Sequence, residues 1–474
     1  MPGSAPTRLV AIDLGAESCR VSLLQWKEQR PVVELVHRFP NAPLQRGSSL
    51  RWDLAHIAAE LDKGLHRCAE RADGPVSSIG VDGWAVDYVR LSGNGAPMED
   101  PYCYRDARTE AQEAAAKQLC SRDHLYRLSG VQPLRINTLY QLMADARAGA
   151  PAPWLNLPEY VLAKLGGRRV AEYTNATHTG LVDVSRRTWS SEIFDIFSLN
   201  QQDAPELVPT GTELGAVNGE LARLEAFRGT RLIAPACHDT ASAVAGIPAE
   251  GDDWAYISSG TWSLVGTLLE APIATPQACA AGFTNLGAAG GRICFHKNVN
   301  GMWLLRQCLA HLCDAAAMWP MAELVAAAER ADTPQTLLDV EDPSLLLPGD
   351  MASRINAQLR QRGAETLEEH PSAMPKFASL IFHSLASRYA TVLANVEQLT
   401  GKKLKRISMV GGGSLNQFLN RLTAESTGLE LSCGVAESST IGNFAIQLAT
   451  LEGSRNSAAR IAHWAHELTS LRHC

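Results

Sequence analysis

The chain has 474 residues, enough for roughly three domains of about 150 residues each. Apolar residues make up 46% of it and charged residues 20%. This composition is typical of a globular protein and excludes disorder on a large scale. The formal net charge is −7, which argues against a nucleic-acid partner, because phosphate-binding surfaces are usually basic. No run of about 18 apolar residues occurs, so no membrane-spanning helix is expected.

The predicted elements begin with a β-hairpin. An apolar strand over 8–12 ends at Asp13 and a glycine-containing turn, and a second strand follows over 21–25. Apolar residues at helical spacing then predict an amphipathic helix over 53–71. The next predicted strand, 76–81, also ends in an acid.

A second group of elements lies near the middle of the chain. The short strand 232–237 leads to Asp239 and a helix of small residues over 241–245. An Asp just before a helix is often an ordinary N-cap that accepts hydrogen bonds from unpaired backbone amides. For Asp239 this interpretation and that of a functional carboxylate facing a cleft both stay open. The stretch 246–253, with its Gly, Pro and acidic residues, predicts the crossing between two halves.

The strand–turn–strand order of the N-terminal segment occurs again after this crossing. A strand over 254–257, a small polar turn and a strand over 262–266 repeat the earlier order, which indicates a duplicated domain architecture. Helices dominate 302–400, and a last strand over 406–410 leads to a glycine-rich turn and a helix near Leu415. Strands and helices alternate throughout, so the predicted fold class is α/β.

Acids and small-residue turns follow several of these strands. The acids are Asp13, Asp82 and Asp239, and the turns are 15–20, 258–261 and 411–414. Ligands favour the carboxyl ends of strands in α/β sheets, and Gly lets backbone amides approach phosphate oxygens closely. Ordinary turn residues remain the alternative for Asp13 and Asp82. Together, however, these features favour a nucleotide cleft with a metal held by strand-end carboxylates.

The common nucleotide-binding motifs are missing from the sequence. It has no P-loop G-x-x-x-x-G-K-[ST], no G-x-G-x-x-G after the first strand and no H-R-D catalytic loop. P-loop and protein-kinase folds are therefore excluded. Phosphate held between two domains by hairpin loops is the arrangement that remains.

Eight segments carry a resemblance to a known family. They are 11–18, 80–88, 104–108, 137–141, 172–177, 238–243, 258–264 and 410–413. With them, the chain resembles the FGGY superfamily of sugar kinases along nearly its whole length. The resemblance implies an α/β fold of two ribonuclease-H-like (actin/hexokinase-like ATPase) domains flanking a central cleft. Residues 1–246 would bind the sugar and supply the base, and residues 247–474 would bind ATP.

The activity implied by the resemblance is ATP-dependent phosphorylation of the O1 hydroxyl of L-rhamnulose, giving L-rhamnulose 1-phosphate, with Mg²⁺ as cofactor. Another ketose, such as L-fuculose or L-xylulose, is the alternative substrate. A non-catalytic sugar or nucleotide sensor and an actin-like polymer are the alternative classes of protein. The expected partners are a small sugar and ATP, without nucleic acid or membrane, and the expected state is a monomer or small homo-oligomer.

The same resemblance assigns roles to individual residues, with Asp239 as the catalytic base and Asp13 as a holder of Mg²⁺. The sugar-contacting positions are Ala85, His238, Asp239, Thr240 and Asn298. The nucleotide-contacting positions are Ala16, Glu17, Ser18, Cys19, Arg20, Thr261, Arg306, Gly412 and Asn416.

Three of these residues depart from the family pattern. Cys19 and Ala85 each stand where the family has Gly, and Arg306 stands where it has Gln. If position 19 needs a positive φ or a close approach of its backbone to phosphate, glycine there is expected to improve the KM for ATP. The extra methyl group of Ala85 is expected to reshape the sugar pocket.

The cysteines and the N-terminus suggest where the protein works. Eleven cysteines are scattered along the chain without a C-x-x-C pair, which is typical of free thiols in a cytosolic protein. The first residues lack a basic region followed by an apolar run, so no secretory signal is expected. The predicted location is therefore the cytoplasm.

Overall fold

The structure is a computed structural model that describes residues 7–314, 318–434 and 437–469. Its contacts divide the described chain into two compact units. The second unit consists of the described residues of 251–267 and 296–437, and all other described residues form the first. The segments 268–295 and from 438 onward therefore belong with the first unit by contact, whereas the contiguous division into 1–246 and 247–474 stays a prediction.

Strands and helices alternate along the described chain. The strands are β1 Arg8–Leu14, β2 Ser18–Lys27, β3 Arg30–Pro40, β4 Leu44–Arg46, β5 Ser49–Arg51, β6 Val76–Gly83, β7 Tyr88–Arg90, β8 Trp154–Asn156, β9 Val170–Glu172, β10 Val182–Asp183, β11 Thr188–Trp189, β12 Glu206–Val208, β13 Thr212–Ala216, β14 Arg231–Ala234, β15 Trp254–Ser259, β16 Trp262–Leu269, β17 Phe283–Gly287, β18 Ile293–Asn300, β19 Arg406–Val410 and β20 Glu430–Cys433. The helices are α1 Leu54–Arg71, α2 Glu110–Leu119, α3 Arg122–Ser129, α4 Thr138–Arg147, α5 Leu157–Lys164, α6 Tyr173–Ala176, α7 Ser191–Ile196, α8 Asp239–Ala245, α9 Pro276–Ala280, α10 Trp303–Leu312, α11 Met321–Glu329, α12 Met351–Gln361, α13 Met374–Thr400, α14 Gln417–Thr427, α15 Ser438–Leu451 and α16 Ala458–Thr469.

The first sheet has the strand order β13-β14-β6-β1-β2-β3. Strand β1 is antiparallel to β2 and parallel to β6, and β6 is parallel to β14. Every residue of β1 is buried, as expected for a strand covered on both faces. The carboxyl ends of β1, β6 and β14 therefore meet at one edge of this sheet.

The second sheet, with the order β17-β18-β16-β15-β19-β20, repeats this plan. Strand β15 is antiparallel to β16 and parallel to β19, and β19 is parallel to β20. In both sheets an antiparallel hairpin partner lies on one side of the central strand and parallel strands lie on the other. The predicted α/β class and the duplicated architecture are thus confirmed.

Several predicted elements agree closely with the structure. The strand predicted over 406–410 is β19 itself, and the helix predicted over 53–71 is α1, with Asp53 as its N-cap accepting the amide of His56. The helix predicted over 241–245 begins two residues earlier, at Asp239, and its N-cap is His238. The N-cap interpretation of Asp239 was therefore wrong.

Two further properties concern the whole described chain. Across residues 7–314, 318–434 and 437–469, no helix combines the length and apolar character needed to cross a membrane. The ten cysteines in these ranges are all free thiols, and nine of them are buried. Free thiols were predicted from their scattered spacing, and this prediction is confirmed for these ten.

Candidate active site

The three strand-end acids come together at one edge of the first sheet. The parallel register of β1 and β6 pairs Asp13 with Asp82. Beyond the end of β14, a single parallel bridge joins Gly83 to His238, so Asp239 follows at the same edge. The charges of Asp13 and Asp239 both help to raise the pKa of Asp82. The sequence had placed these acids at strand ends, and the topology makes them one cluster.

Helix α15 holds two of these carboxylates through polar residues spaced four apart. Ser439 donates its hydroxyl to Oδ2 of Asp13 at 2.7 Å, and Asn443 donates Nδ2 to Oδ2 of Asp82 at 2.6 Å. One turn further, Gln447 donates Nε2 to the carbonyl of Val10 at 3.0 Å. Residues at i, i+4 and i+8 share one helix face, so this face is polar within a largely apolar helix.

Asp13 lies in a buried site with a cationic neighbour. Strand register places Arg20 opposite it, and Nη1 of Arg20 donates to Oδ2 of Asp13 at 2.9 Å. Burial raises the pKa of Asp13, and the Arg20 charge and the Ser439 hydroxyl oppose that rise. Asp13 therefore has a compensating cation beside it, which reduces the cost of keeping a charge away from water.

Asp82 is more deeply enclosed than Asp13. Its side chain is fully buried, and Oδ1 has no hydrogen-bond partner among the described residues. Burial raises its pKa well above the usual range, and the nearby Asp13 charge adds to this effect. A buried carboxylate oxygen without a donor is unusual, so this oxygen keeps an unused capacity to accept a hydrogen bond.

Asp239 is the most accessible acid of the cluster, with 35% of its side chain exposed. It occupies the first turn of α8, and Oδ1 accepts the Thr240 hydroxyl at 3.1 Å. Nε2 of His238 lies 3.3 Å from the same oxygen. Loss of hydration among the surrounding protein groups raises the pKa of Asp239 to about 6, so the group changes charge close to neutral pH.

A second histidine lies against His238. Nε2 of His178 is 3.0 Å from Nδ1 of His238, and the two ring centroids are 3.8 Å apart. Burial lowers the pKa of His238 to about 3. His238 is therefore neutral over the working pH range and offers one donor and one acceptor rather than a charge.

The five predicted phosphate-loop residues occupy the β1–β2 hairpin. Ala16 and Glu17 form its turn, whereas Ser18, Cys19 and Arg20 already belong to β2. Asn41, which the sequence analysis did not single out, supports this turn. Its Nδ2 donates to the carbonyl of Gly15 at 3.0 Å, and its backbone amide donates to the carbonyl of Glu17 at 3.0 Å.

Cys19 does not have the backbone geometry that would require glycine. It lies in β2 opposite Phe39, and its φ is not among the positive values found in the described chain. Its side chain is fully buried, and Sγ is 3.6 Å from the carbonyl oxygen of Gly15. Burial raises the pKa of this thiol to about 12, so Cys19 is neutral and shielded from oxidants.

We therefore expect Cys19→Gly to destabilise the protein rather than to improve the KM for ATP. The substitution removes a buried side chain from a strand and adds backbone entropy, a loss of about 1–3 kcal/mol in unfolding free energy. Denaturant unfolding and the ATP KM measure the two effects. Cys433→Gly, at an exposed position of β20, is the matched control. It loses the contact of Sγ with Nδ2 of Asn420 but no buried side chain, so we expect a smaller loss, on the order of 1 kcal/mol. A lower ATP KM in Cys19→Gly at unchanged stability would contradict this prediction.

Ala85, a predicted sugar contact, precedes a strained residue. Val86 has a φ of +72°, a left-handed conformation that is a genuine outlier for a β-branched side chain. Its carbonyl accepts the Thr138 hydroxyl at 2.7 Å and Nε2 of Gln141 at 3.2 Å. Such strain costs about 1–3 kcal/mol and tends to occur at functional sites, and these two buried hydrogen bonds hold it here.

The next residue, Asp87, fixes the same turn from the other side. Its Oδ2 accepts the indole N–H groups of Trp52 at 2.6 Å and Trp84 at 3.0 Å. Oδ1 accepts Nε2 of Gln141 at 3.1 Å, and burial raises the pKa of Asp87 to about 6. The two residues that follow Ala85 are thus held by one buried hydrogen-bond network, in which Gln141 contacts both.

The second unit brings together most of the other predicted nucleotide residues. Thr261 lies in the β15–β16 turn, and Nη1 of Arg306 donates to its hydroxyl at 3.4 Å. Gly412 follows the end of β19, which pairs with β15. Asn416 is the N-cap of α14 and accepts the amide of Leu419 at 3.1 Å. Asn298 is exposed on β18, apart from these contacts.

Comparison with known proteins agrees with this architecture. The models for the FGGY family of carbohydrate kinases match residues 8–246 with the N-terminal domain and 255–451 with the C-terminal domain. A rhamnulokinase from Enterococcus faecalis is 36% identical over 444 residues, which are 93% of this chain and 88% of that protein. A rhamnulokinase from Pectobacterium carotovorum is 35% identical over 472 residues, covering 98% of this chain and 92% of that protein.

Solved structures share the fold at much lower identity. A gluconate kinase from Lactobacillus acidophilus superposes with a TM-score of 0.79 at 16% identity, covering 97% of this chain and 92% of that one. A xylulose kinase from the same organism gives a TM-score of 0.77, with the same identity and coverage. The family models cover both halves of the sequence, and the full-length relatives are more than 30% identical. The chain belongs to the FGGY family of carbohydrate kinases.

Proposed function

We propose that this kinase transfers the γ-phosphoryl group of ATP to the O1 hydroxyl of L-rhamnulose, giving L-rhamnulose 1-phosphate. The observation that carries the proposal is the position of Asp239, a partly exposed carboxylate beside two buried acids. The identity of the sugar is supported by two relatives named rhamnulokinase, which are 35% and 36% identical over more than nine-tenths of the chain.

Asp239 acts as the general base in this proposal. A sugar hydroxyl is a weak nucleophile, and a carboxylate within hydrogen-bond reach accepts its proton as the phosphoryl group is transferred. A positioned base of this kind contributes about 10²–10⁴-fold to the rate. The pKa of about 6 suits the task, because Asp239 is ionised at neutral pH yet more basic than an ordinary carboxylate.

The residues proposed to bind the sugar include both sequence neighbours of this base. Neutral His238 and the Thr240 hydroxyl are next to Asp239 in sequence and offer directional hydrogen bonds without adding charge. The backbone that follows Ala85 is held by the hydrogen-bond network of Val86 and Asp87. Asn298 completes the proposed set from its exposed position on β18.

ATP is the phosphoryl donor of a carbohydrate kinase, and we propose two groups of residues to bind it. In the first unit the group is the 16–20 hairpin, which presents backbone amides and the Ser18 hydroxyl. In the second unit it is Thr261, Arg306, Gly412 and Asn416. Hydroxyls and amides bind phosphate oxygens directionally, so a net charge of −7 is compatible with a phosphate-handling site.

The acid cluster fits a hydrated Mg²⁺. This ion usually keeps several waters and binds through one or two carboxylates together with substrate phosphates. Asp13 supplies such a carboxylate, and the unpartnered Oδ1 of Asp82 is a buried oxygen suited to accept a metal-bound water. Within the described ranges no group of three or more His, Cys, Asp or Glu side chains is arranged to hold a metal ion. When bound, the ion would neutralise phosphate charge during transfer.

Three further assignments belong to the same proposal. The N-terminal domain would comprise 1–246 and the C-terminal domain 247–474, with the crossing near 246–253. The enzyme would work as a monomer or small homo-oligomer. The free thiols support a reducing compartment, which we take to be the cytoplasm.

Turnover is expected to fall on the acid side as the pH drops through about 6. The pKa of Asp239 is raised to about 6, so the ionised base predominates above that pH and the protonated, inactive form below it. Well below the pKa, kcat/KM for the sugar should fall about tenfold per pH unit, because this ratio follows the ionisation of the free enzyme. Steady-state rates at sugar concentrations well below KM measure this, and thermal melting at each pH separates protonation from unfolding. A flat profile down to about pH 5 would contradict the assignment.

A coupled assay of ADP release with Mg²⁺ and ATP tests the proposed function. The panel is L-rhamnulose, L-fuculose and L-xylulose, with Asp239→Asn as the inactive control. We expect the highest kcat/KM with L-rhamnulose. Preference for another ketose would overturn the sugar assignment alone, whereas no turnover with any sugar would overturn the proposed activity.

A further inference from the structure

The segment 172–177 is part of the family resemblance, yet the proposed reaction gives it no role. Its first residue, Glu172, ends β9 and is completely buried. Oε2 accepts the Thr174 amide at 3.0 Å and the Thr174 hydroxyl at 2.5 Å. Oε1 accepts the hydroxyl of Thr210 at 2.6 Å. Burial of a carboxylate is expensive unless such donors compensate for the lost water, and here several do.

The same carboxylate holds the backbone that leads to the base. The amide of Cys237, two residues before Asp239, donates to Oε2 of Glu172 at 2.9 Å. The following amide, of His238, donates to Oγ1 of Thr174 at 3.3 Å. Two consecutive amides therefore bind to the Glu172–Thr174 pair.

These two amides lie where regular secondary structure supplies no acceptor. Strand β14 ends at Ala234 and helix α8 begins at Asp239. Without the pair, the amides of Cys237 and His238 would be buried donors with no acceptor, which is destabilising. Glu172 and Thr174 thus supply the acceptors that neither β14 nor α8 provides for these two amides. They hold the backbone directly before α8.

We propose that Glu172, acting with Thr174, is a positioning residue that holds the Cys237–His238 backbone so that Asp239 and His238 face the sugar. The inference rests on the proposed role of Asp239 as the base. It predicts an effect on the chemical step rather than on ATP binding, because a displacement of about 1 Å at reacting groups lowers the rate on the order of 100-fold.

The sharpest test compares two substitutions of Thr174. Thr174→Val keeps the shape but removes the hydroxyl that links His238 to Glu172, whereas Thr174→Ser keeps the hydroxyl. We expect the valine variant to lose on the order of tenfold or more in kcat, with an ATP KM within about twofold of wild type. The serine variant should recover most of the lost kcat.

Thr230→Val controls for the loss of a buried threonine hydroxyl. Thr230 is fully buried at the opposite end of β14, where its hydroxyl donates to the carbonyl of Val76 at 2.7 Å. This variant should lose stability with little change in kcat. Wild-type kcat in Thr174→Val, or a serine variant as impaired as the valine variant, would overturn the proposal.

Substitution of Glu172 extends the test. Glu172→Gln can keep its amide oxygen toward the three donors at Oε2 and turn its NH₂ toward the Thr210 hydroxyl, so we expect kcat within about tenfold of wild type. Glu172→Ala leaves the buried amides without an acceptor, and we expect a loss on the order of 100-fold. If the alanine variant does not fold, the Thr174 pair still decides the question.

Amide hydrogen exchange gives a readout that does not depend on activity. Peptides spanning 236–240 should exchange faster in Thr174→Val than in wild type, and Thr230→Val should leave them unchanged. Unchanged exchange in Thr174→Val would overturn the positioning role even if the sugar assignment is correct. Conversely, if L-rhamnulose is not the substrate, kcat with the accepted ketose and the exchange rates still test the positioning role.

Discussion

Asp239→Asn is expected to lower kcat by about 10²–10⁴-fold and to leave the affinity for ATP close to wild type. The amide has nearly the same shape as the carboxylate, and its oxygen can still accept the Thr240 hydroxyl, which lies 3.1 Å from Oδ1 in the native site. It has no basic oxygen to take the proton of a sugar hydroxyl. The loss should therefore appear in the chemical step.

Steady-state kinetics and calorimetric titration with ATP measure the two parts of this expectation. Thermal melting provides the control, because a properly folded variant should melt near the wild-type temperature. Asp239 is partly exposed, so the substitution leaves no fully buried group without a partner and little change in stability is expected. Turnover close to that of wild type would remove Asp239 from the role of base.

The acid-side pH dependence should disappear with the same substitution. In the wild-type enzyme, protonation of Asp239 near pH 6 removes the base. In Asp239→Asn the remaining slow turnover has no such group at that position. If turnover of Asp239→Asn still falls below about pH 6, the fall would be assigned to another carboxylate of the cluster. The candidates are Asp13 and Asp82, whose pKa values are also raised.

The sequence was most informative where a local pattern determines structure. The strand 406–410 and the hairpin that carries Asp13 follow from short runs of β-branched and apolar residues next to glycine turns. The acid at the end of each strand could be recognised because ligands favour the carboxyl ends of strands. For these features the pattern that stabilises the element also places the side chain.

The contacts that hold the acids in place depend on distant parts of the chain and were not predicted. Ser439 reaches Asp13, and Asn443 reaches Asp82, across more than 360 residues of sequence. The available signal was the spacing of Ser439, Asn443 and Gln447 within an apolar helix, which marks a polar face but does not identify its partner. Tertiary topology supplies that partner.

Position 19 shows a second limit, which concerns a structural role inferred for a residue from the family resemblance. A cysteine in place of a family glycine suggested a loss of backbone freedom at the phosphate loop. In the structure, Cys19 is an ordinary inward-facing residue of β2 with its side chain packed away from solvent. The face of a strand on which a residue lies depends on its register, and the register became clear only from the pairing of Cys19 with Phe39.

Gly442→Ala is expected to disrupt the first unit at the point where two helices supporting the acid cluster touch. Gly442 lies in α15 between Ser439 and Asn443, and a Cβ at this position would come within 1.8 Å of the carbonyl oxygen of Ser242 in α8. Helix propensity alone favours alanine by about 1 kcal/mol. Relief of this clash requires the helices to separate by about 1.5 Å, and overpacking of this kind costs about 1–3 kcal/mol or more.

The steric effect should therefore exceed the gain in propensity and lower the free energy of unfolding by about 1–3 kcal/mol. A large loss of kcat should accompany this loss of unfolding free energy, because α8 begins with Asp239 while α15 holds Asp13 and Asp82. Separation of the helices moves the base away from the other two acids, and kcat should drop on the order of 100-fold.

Denaturant unfolding measures the change in unfolding free energy, and steady-state kinetics measures the change in kcat. Gly93→Ala is the matched control, since a Cβ at that exposed turn meets no atom within 4 Å. Wild-type stability and kcat in Gly442→Ala would show that close contact between α8 and α15 is not needed to hold the three carboxylates together.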